Sequence, residues 1–407
     1  MRYDVRRMNS QLSNDAGPST PSALMTLIQR SIHNAGGWLG FDRFMALALY
    51  APGMGYYANG LRKFGTTPQS GSDFVTAPEM SPHFGRALAN QVLEAMQQTQ
   101  TDEVWEFGAG SGALALQLLE NLGEAVQRYT IVDVSGNLRA RQQETLQAYA
   151  HKVHWVDALP EALQGVVVGN EVLDAMPVQL LVRKSGVWFE RGVVWQDAHA
   201  GDDDTHMLTP SHTTSHTTSL PTPLQWLDRP TDLRPPVDIE GEHDYQCEIH
   251  NQAHAFVNTL ADRLQASVAQ GGKGGAVFLI DYGFPEAEYF HPQRHMGTLM
   301  CHQLHRSDAN PLLDVGQKDI TAHVNFTGIA LAAQDAGLHV LGYTNQAHFL
   351  INCGLLPPLA EASWAEKALA QKLITEHEMG ELFKVIALGT SAWEPMGFAV
   401  GDRTHTL

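Results

Sequence analysis

The sequence predicts an α/β fold: a mostly parallel sheet covered by helices, with an N-terminal helical segment and an antiparallel insertion. Three observations predict it. Short apolar runs alternate with helical stretches between residues 103 and 169. A glycine-rich turn, Gly108-Ala-Gly-Ser-Gly112, joins the first run to the first helix of that series. A further apolar run, Ala276-Val-Phe-Leu-Ile-Asp281, returns to the same pattern after a stretch of different character.

The elements follow in order. Residues 1–20 read as a disordered leader: Arg2, Arg6 and Arg7 hint at a transit peptide, Asp4 and Asp15 count against one, and no apolar segment suits secretion. From residue 21, Leu24, Leu27, Ile28 and Ile32 share one helical face, and Gly36-Gly37 stops that helix. A short helix spans 41–49, a Gly/Pro/Tyr-rich loop spans 50–57, and the segment at 71–82 opens a helix running to about residue 98. Strands then fall at 104–107, 129–133, 153–156 and 165–169, with helices at 113–122 and 137–150 between them. After Pro177, Val/Leu/Trp runs broken by glycine suggest antiparallel strands, and the polar, Pro-rich stretch 196–236 reads as a disordered loop. A helix over 246–270 returns to the main domain. The strand ending at Asp281, a helix at 326–337, a segment at 340–343 and a strand around Val385 and Ile386 complete it. This divides the chain into a leader (1–20), a helical or lid region (21–100), a glycine-loop half (101–177), an insertion (178–245) and a second half (246–407).

Composition narrows the function. With 26 Lys+Arg against 44 Asp+Glu the formal charge is −18, which disfavours nucleic acid and anionic lipid as partners. No apolar run is long enough to span a membrane. Three widely spaced cysteines suit a reducing compartment, so the cytoplasm is expected, with the mitochondrial matrix as the alternative. A homodimer stays open.

The glycine loop follows a strand and starts a helix, so its backbone can turn sharply and meet a ligand at a helix N-terminus. Residues 108–113 also match Gly-x-Gly-x-x-Ala, the Rossmann-like dinucleotide fingerprint, and Asp133 at the end of the next strand suits ribose hydroxyls in either case. The loop alone does not choose between a nicotinamide cofactor and S-adenosylmethionine. Glu106, two residues before Gly108, would repel a pyrophosphate and attract an ammonium or sulfonium. The fourth strand ends in Asn170-Glu-Val-Leu-Asp174-Ala-Met-Pro177, a polar edge where an acceptor would meet the cofactor. Both favour S-adenosylmethionine.

Taken together, Gly71-Ser-Asp-Phe-Val-Thr-Ala-Pro-Glu79, Glu106–Gly112, Asn170–Pro177, Ile280-Asp-Tyr-Gly283, His302-Gln-Leu-His305 and the stretch 319–326 resemble the MidA family. That family comprises mitochondrial complex I assembly-factor methyltransferases and their bacterial relatives. Ala77 departs from the Ser common there. The resemblance covers residues 21–390. It implies a seven-stranded class I methyltransferase fold, S-adenosylmethionine as cofactor, and methylation of a protein arginine in a complex I-type subunit. It also implies that Asp73, Phe74, Thr76 and Glu79 form a lid over the cofactor.

An arginine acceptor needs a carboxylate pair, because its planar guanidinium stays protonated and binds bidentate acceptors. Glu171 and Asp174 are that pair, three residues apart and on one face if a helix begins there. Asp281, at the end of a buried strand, is a candidate proton acceptor or orienting group. Asn170, Glu106, Gly108, Gly110, Gly112 and Asp133 are the cofactor candidates. His302 and His305 are candidate substrate-side imidazoles; they lack the second ligand pair of a metal site. Two other readings stand beside this one: a nicotinamide-dependent oxidoreductase, and a non-catalytic assembly factor that keeps a cofactor pocket.

Overall fold

A computed structural model describes residues 22–59, 76–133, 136–196, 222–304 and 306–407. The leader, Asp73, Phe74 and His305 lie outside the described residues, as does the stretch 197–221 of the expected loop.

Seven strands form the main sheet: β1 (Glu103–Phe107), β2 (Arg128–Val132), β3 (Val153–Val156), β4 (Gly165–Asn170), β5 (Gly275–Phe284), β6 (His339–Asn345) and β7 (Phe383–Gly389). Their order is β3-β2-β1-β4-β5-β7-β6. The first five run parallel, and β7 lies antiparallel between β5 and β6. A two-residue strand, Val324–Asn325, extends the sheet beside the end of β5. Strand order reverses between β1 and β4, so the carboxyl edge there forms a crevice for a ligand.

The apolar runs follow from burial on both faces. All six residues of β4 are buried. Val166 and Val168 pack on one side with Phe84, Leu88 and Leu118, from helices Pro82–Thr99 and Ala113–Leu122. Val167 packs on the other with Val257, Leu260 and Ile329, from helices Asn251–Ala269 and Phe326–Asp335. A strand covered on both sides needs no polar alternation.

The insertion is an antiparallel sheet in the order Leu39–Gly40, Val187–Trp195, Gln179–Lys184, Tyr245–Ile249. Leu224–Pro230 also pairs with Val187–Trp195. The expectation of a loop through 236 is therefore corrected at 224–230. Flanking prolines hid a period of two in which Leu224 is buried and Trp226 packs on Phe41. The helix expected over 246–270 is corrected at its start: Tyr245–Ile249 is a strand and the helix begins at Asn251. The helix expected from residue 71 is two pieces, Ala77–Met80 and Pro82–Thr99, broken where Ser81, extended at φ −150°, precedes Pro82.

Helices Ala23–Asn34 and Phe41–Tyr50 pack on the insertion, where Leu24, Ile28 and Phe44 share a core with Leu180, Val193 and Ile320. Ile320 belongs to a small three-stranded sheet of Met300–Gln303, Arg306–Asp308 and Asp319–Thr321. This satellite core sets the N-terminal segment and the small sheet over the carboxyl edge of the main one. Among the described residues, no helix is long and apolar enough to cross a membrane. The three cysteine thiols are free and buried.

Candidate active site

A cavity of about 1240 Å³ opens at the carboxyl edge of β1, β2, β4 and β5. At one end lies the glycine loop. Gly108, Gly110 and Gly112 all adopt left-handed φ, +65°, +53° and +84°. A Cβ on Gly108 would come within 3.0 Å of Val172 Cγ2, so this turn admits only glycine without a shift. Gly108 and Gly110 line the cavity, whereas Gly112 lies behind it as the cap of helix Ala113–Leu122, against Gln142 and Thr145.

Gln142, absent from the sequence reading, holds this end together. Its Nε2 donates to the Gly110 carbonyl (3.1 Å) and to Asp133 Oδ2 (2.8 Å), and its Oε1 accepts from Trp155 Nε1 (2.9 Å). The side chain thus ties the glycine loop to the acid at the end of β2. Only its placement in three dimensions reveals this, since a Gln in an Arg/Gln-rich helix carries no local signal. Glu106 is 2% exposed and accepts from Tyr129 Oη at 2.7 Å. Burial pushes its carboxyl up to about 7; the Tyr129 bond opposes this and Asp133 adds to it.

The other end is built around the loop after β4. Asn170 Nδ2 donates to Glu171 Oε1 at 2.9 Å. Glu171 itself takes a left-handed φ of 55°, and its N–H donates to the Ile280 carbonyl at 2.8 Å. A non-glycine residue held there is strained, a feature that concentrates at functional sites. Glu171 and Asp174 both line the cavity. The helical face expected for them is corrected: residues 171–176 form no helix, only bends and a turn. The reason is Asp281. Its Oδ2 accepts from the Leu173 and Asp174 N–H groups, at 2.8 and 3.2 Å, and folds the loop back over the sheet. Asp281 is 1% exposed and does not line the cavity; of the two roles expected for it, proton acceptor or orienting group, its bonds to the loop fit the second.

Burial, with Asp174 adding to it, pushes the Glu171 carboxyl up to about 8, against hydrogen bonds from Asn170 and the Ala77 backbone. Burial likewise raises Asp174 to about 6, opposed by its hydrogen bond with Tyr282. Asp281 is raised too, by burial and then by Asp174 and Glu171. Three carboxyls this close and this dry do not all ionise near neutral pH without a cation.

Around this loop stand groups that the sequence reading passed over. Tyr50 Oη donates to the Ala175 carbonyl (2.8 Å) and Tyr57 Oη to Asp319 Oδ2 (2.7 Å). Tyr282, Asp319 and His323 also line the cavity. The Tyr-rich loop 50–57 was the one local signal for the first two. His302 lines the wall formed by the small sheet, and burial lowers its pKa, with Asp308 opposing. Thr76 and Glu79 line the edge of the cavity.

The described lining fits a cationic, nucleoside-sized ligand. It includes six carboxylates (Glu79, Glu106, Asp133, Glu171, Asp174 and Asp319) and, among the described residues, no Lys or Arg. Two buried oxygens on lining residues, Asn170 Oδ1 and Glu79 Oε2, have no hydrogen-bond partner. A pyrophosphate would meet that acidity unfavourably, which sets the nicotinamide reading aside. Among the described residues, no group of three His, Cys, Asp or Glu is set to hold a metal ion.

Comparison with known proteins agrees with this geometry. A solved Burkholderia thailandensis protein, described as a "likely methyl transferase" and bound to S-adenosyl-homocysteine, is 45% identical; the match covers 95% of this chain and 96% of that one, with a TM-score of 0.82. Two curated relatives are named as mitochondrial protein arginine methyltransferases. The Caenorhabditis elegans protein is 22% identical, over 98% of this chain and 96% of its own length. The Danio rerio protein is 25% identical, over 79% and 74%. The family model for S-adenosyl-L-methionine-dependent methyltransferases matches residues 87–344, and the chain belongs to that family.

Proposed function

We propose that this methyltransferase modifies an arginine side chain of a partner protein. The observation that carries the reading is the Glu171–Asp174 pair, set in a cavity whose described lining holds six carboxylates and no basic side chain. The names of the curated relatives support it. The resemblance read from the sequence points to a respiratory complex I-type subunit as the partner. For the compartment, the names of the curated relatives support the mitochondrial alternative.

When bound, S-adenosylmethionine supplies a methyl group activated by its sulfonium. Glu106, Gly108, Gly110 and Asp133 would hold it at the glycine-loop end and Asn170 at the start of the loop after β4, with Gly112 and Gln142 shaping the glycine loop from behind. Thr76 and Glu79 would cover it, with Asp73 and Phe74 by family resemblance. Glu171 and Asp174 orient the guanidinium by bidentate hydrogen bonds. An arriving cation draws both carboxyls into their ionised form; the nitrogen becomes more acidic as it gains the methyl group, and one carboxylate takes the proton it loses. Asp281 keeps the Leu173–Asp174 backbone, and so the pair, in place.

The test is incubation with S-adenosylmethionine labelled in its methyl group and an extract of a strain lacking this gene, followed by acid hydrolysis of the labelled protein. Label in methylarginine is expected. Label confined to methyl-lysine or to base-labile esters would sink the arginine reading.

A further inference from the structure

The rings of Tyr50 and Tyr57 stack, with centroids 5.5 Å apart and planes 18° apart, and both line the cavity. Each hydroxyl is anchored on the opposite wall. Tyr50 is tied to the carbonyl next to Asp174, and Tyr57 to Asp319 on the small sheet. Tyr56 meets Tyr57 edge-on at 5.0 Å, which braces the stack from behind. Burial first, and then Asp319 among other groups, hold the Tyr57 phenol well above its ordinary range, so it stays neutral. Tied in this way, the rings bring aromatic surface to the cavity beside the two carboxyls. A delocalised planar cation gains from aromatic faces and from a carboxylate pair at once. A compact ammonium is more strongly hydrated and matches neither geometry as well.

We propose that Tyr50 and Tyr57, together with Glu171 and Asp174, form an aromatic–acidic subsite that selects the guanidinium of arginine over the ammonium of lysine. The proposal rests on the arginine reading above and adds the residues that make the choice.

The experiment uses the full chain saturated with S-adenosyl-homocysteine. Two probes, acetyl-Gly-Gly-Arg-Gly-Gly-amide and its Lys counterpart, are titrated by saturation-transfer NMR. The wild type should bind the Arg probe at least about 5-fold more tightly than the Lys probe. Tyr50→Leu should weaken the Arg probe by about 10-fold and erase the preference. Tyr50→Phe and Tyr57→Phe keep the rings and lose only the ties, so each should reduce the preference less than Tyr50→Leu does. The affinity for S-adenosyl-homocysteine, measured in each variant, reports whether the fold survives. If Tyr50→Leu leaves the preference intact, the subsite proposal fails while the arginine reading stands. If the wild type prefers the Lys probe or binds neither, both fail.

Discussion

The two ends of the cavity are built on different plans. The glycine-loop end is local: Glu106, Gly108, Gly110, Asp133 and Gln142 fall within one strand–helix–strand–helix stretch. The other end, where we propose that the acceptor binds, is assembled from afar: Tyr50 and Tyr57, Glu171 and Asp174, Tyr282, His302, Asp319 and His323 come from five separate regions of the chain. A local site depends on backbone conformation, whereas an assembled one depends on buried polar contacts between segments. The first should fail by losing the cofactor and the second by losing the acceptor alone.

Gly108→Val gives the largest expected effect. A branched side chain at φ +65°, with its Cβ 3.0 Å from Val172, should weaken S-adenosyl-homocysteine by at least about 100-fold in calorimetry. Retained micromolar binding would break the claim that backbone shape governs this end. Glu171→Gln and Asp174→Asn probe the other end. Each should leave cofactor affinity within about 3-fold and cut the rate of methyl transfer by about 100-fold, the scale of a lost electrostatic contact in a dry site. A matching loss of cofactor affinity would merge the two ends into one.

Gln142→Leu sharpens the comparison from behind the wall. It removes the bonds of Gln142 to Asp133 Oδ2, the Gly110 carbonyl and Trp155 Nε1, and unmade buried hydrogen bonds cost about 1–3 kcal/mol. Cofactor binding should weaken by about 10-fold, with acceptor binding to the loaded enzyme unchanged. The smallest effect is one of stability. Glu106 holds its proton in the folded chain up to about pH 7, whereas its ordinary value is 4.5. Its contribution is therefore greatest below pH 4.5 and is lost as pH rises through about 7. Glu106→Gln, which can still accept from Tyr129, should raise the melting temperature at pH 8 and leave it unchanged at pH 4. A gain that persists at the lower pH would show that burial of the charge is not its source.

The contrast between the ends also explains what could be read in advance. The strands of the main sheet announce themselves because burial on both faces demands unbroken runs such as Val166-Val-Val168 and Val277-Phe-Leu-Ile280. The antiparallel strands were harder. Leu224–Pro230 sits among prolines and threonines, and its single buried leucine does not stand out. Tyr245–Ile249 runs into a helix without a breaker, so the two merge in a periodicity reading. Asp281 was legible as an acid closing an apolar run, although the strand continues to Phe284. Its role was not, because that depends on the Leu173 and Asp174 N–H groups being folded onto it.

The sequence by itself determined the parallel sheet, the glycine loop and the carboxylates at the strand ends, because backbone freedom, apolar periodicity and charge are properties of short stretches. Only the tertiary structure decided that Tyr50 and Tyr57 stack with their hydroxyls on Ala175 and Asp319, that Gln142 braces the glycine loop and that Asp281 holds the backbone of the loop after β4. The Gln142 brace depends on how one strand–helix–strand–helix stretch folds on itself; the other two depend on which distant segments share a buried core. That in turn depends on how the N-terminal helices and the insertion pack together, which no local pattern encodes.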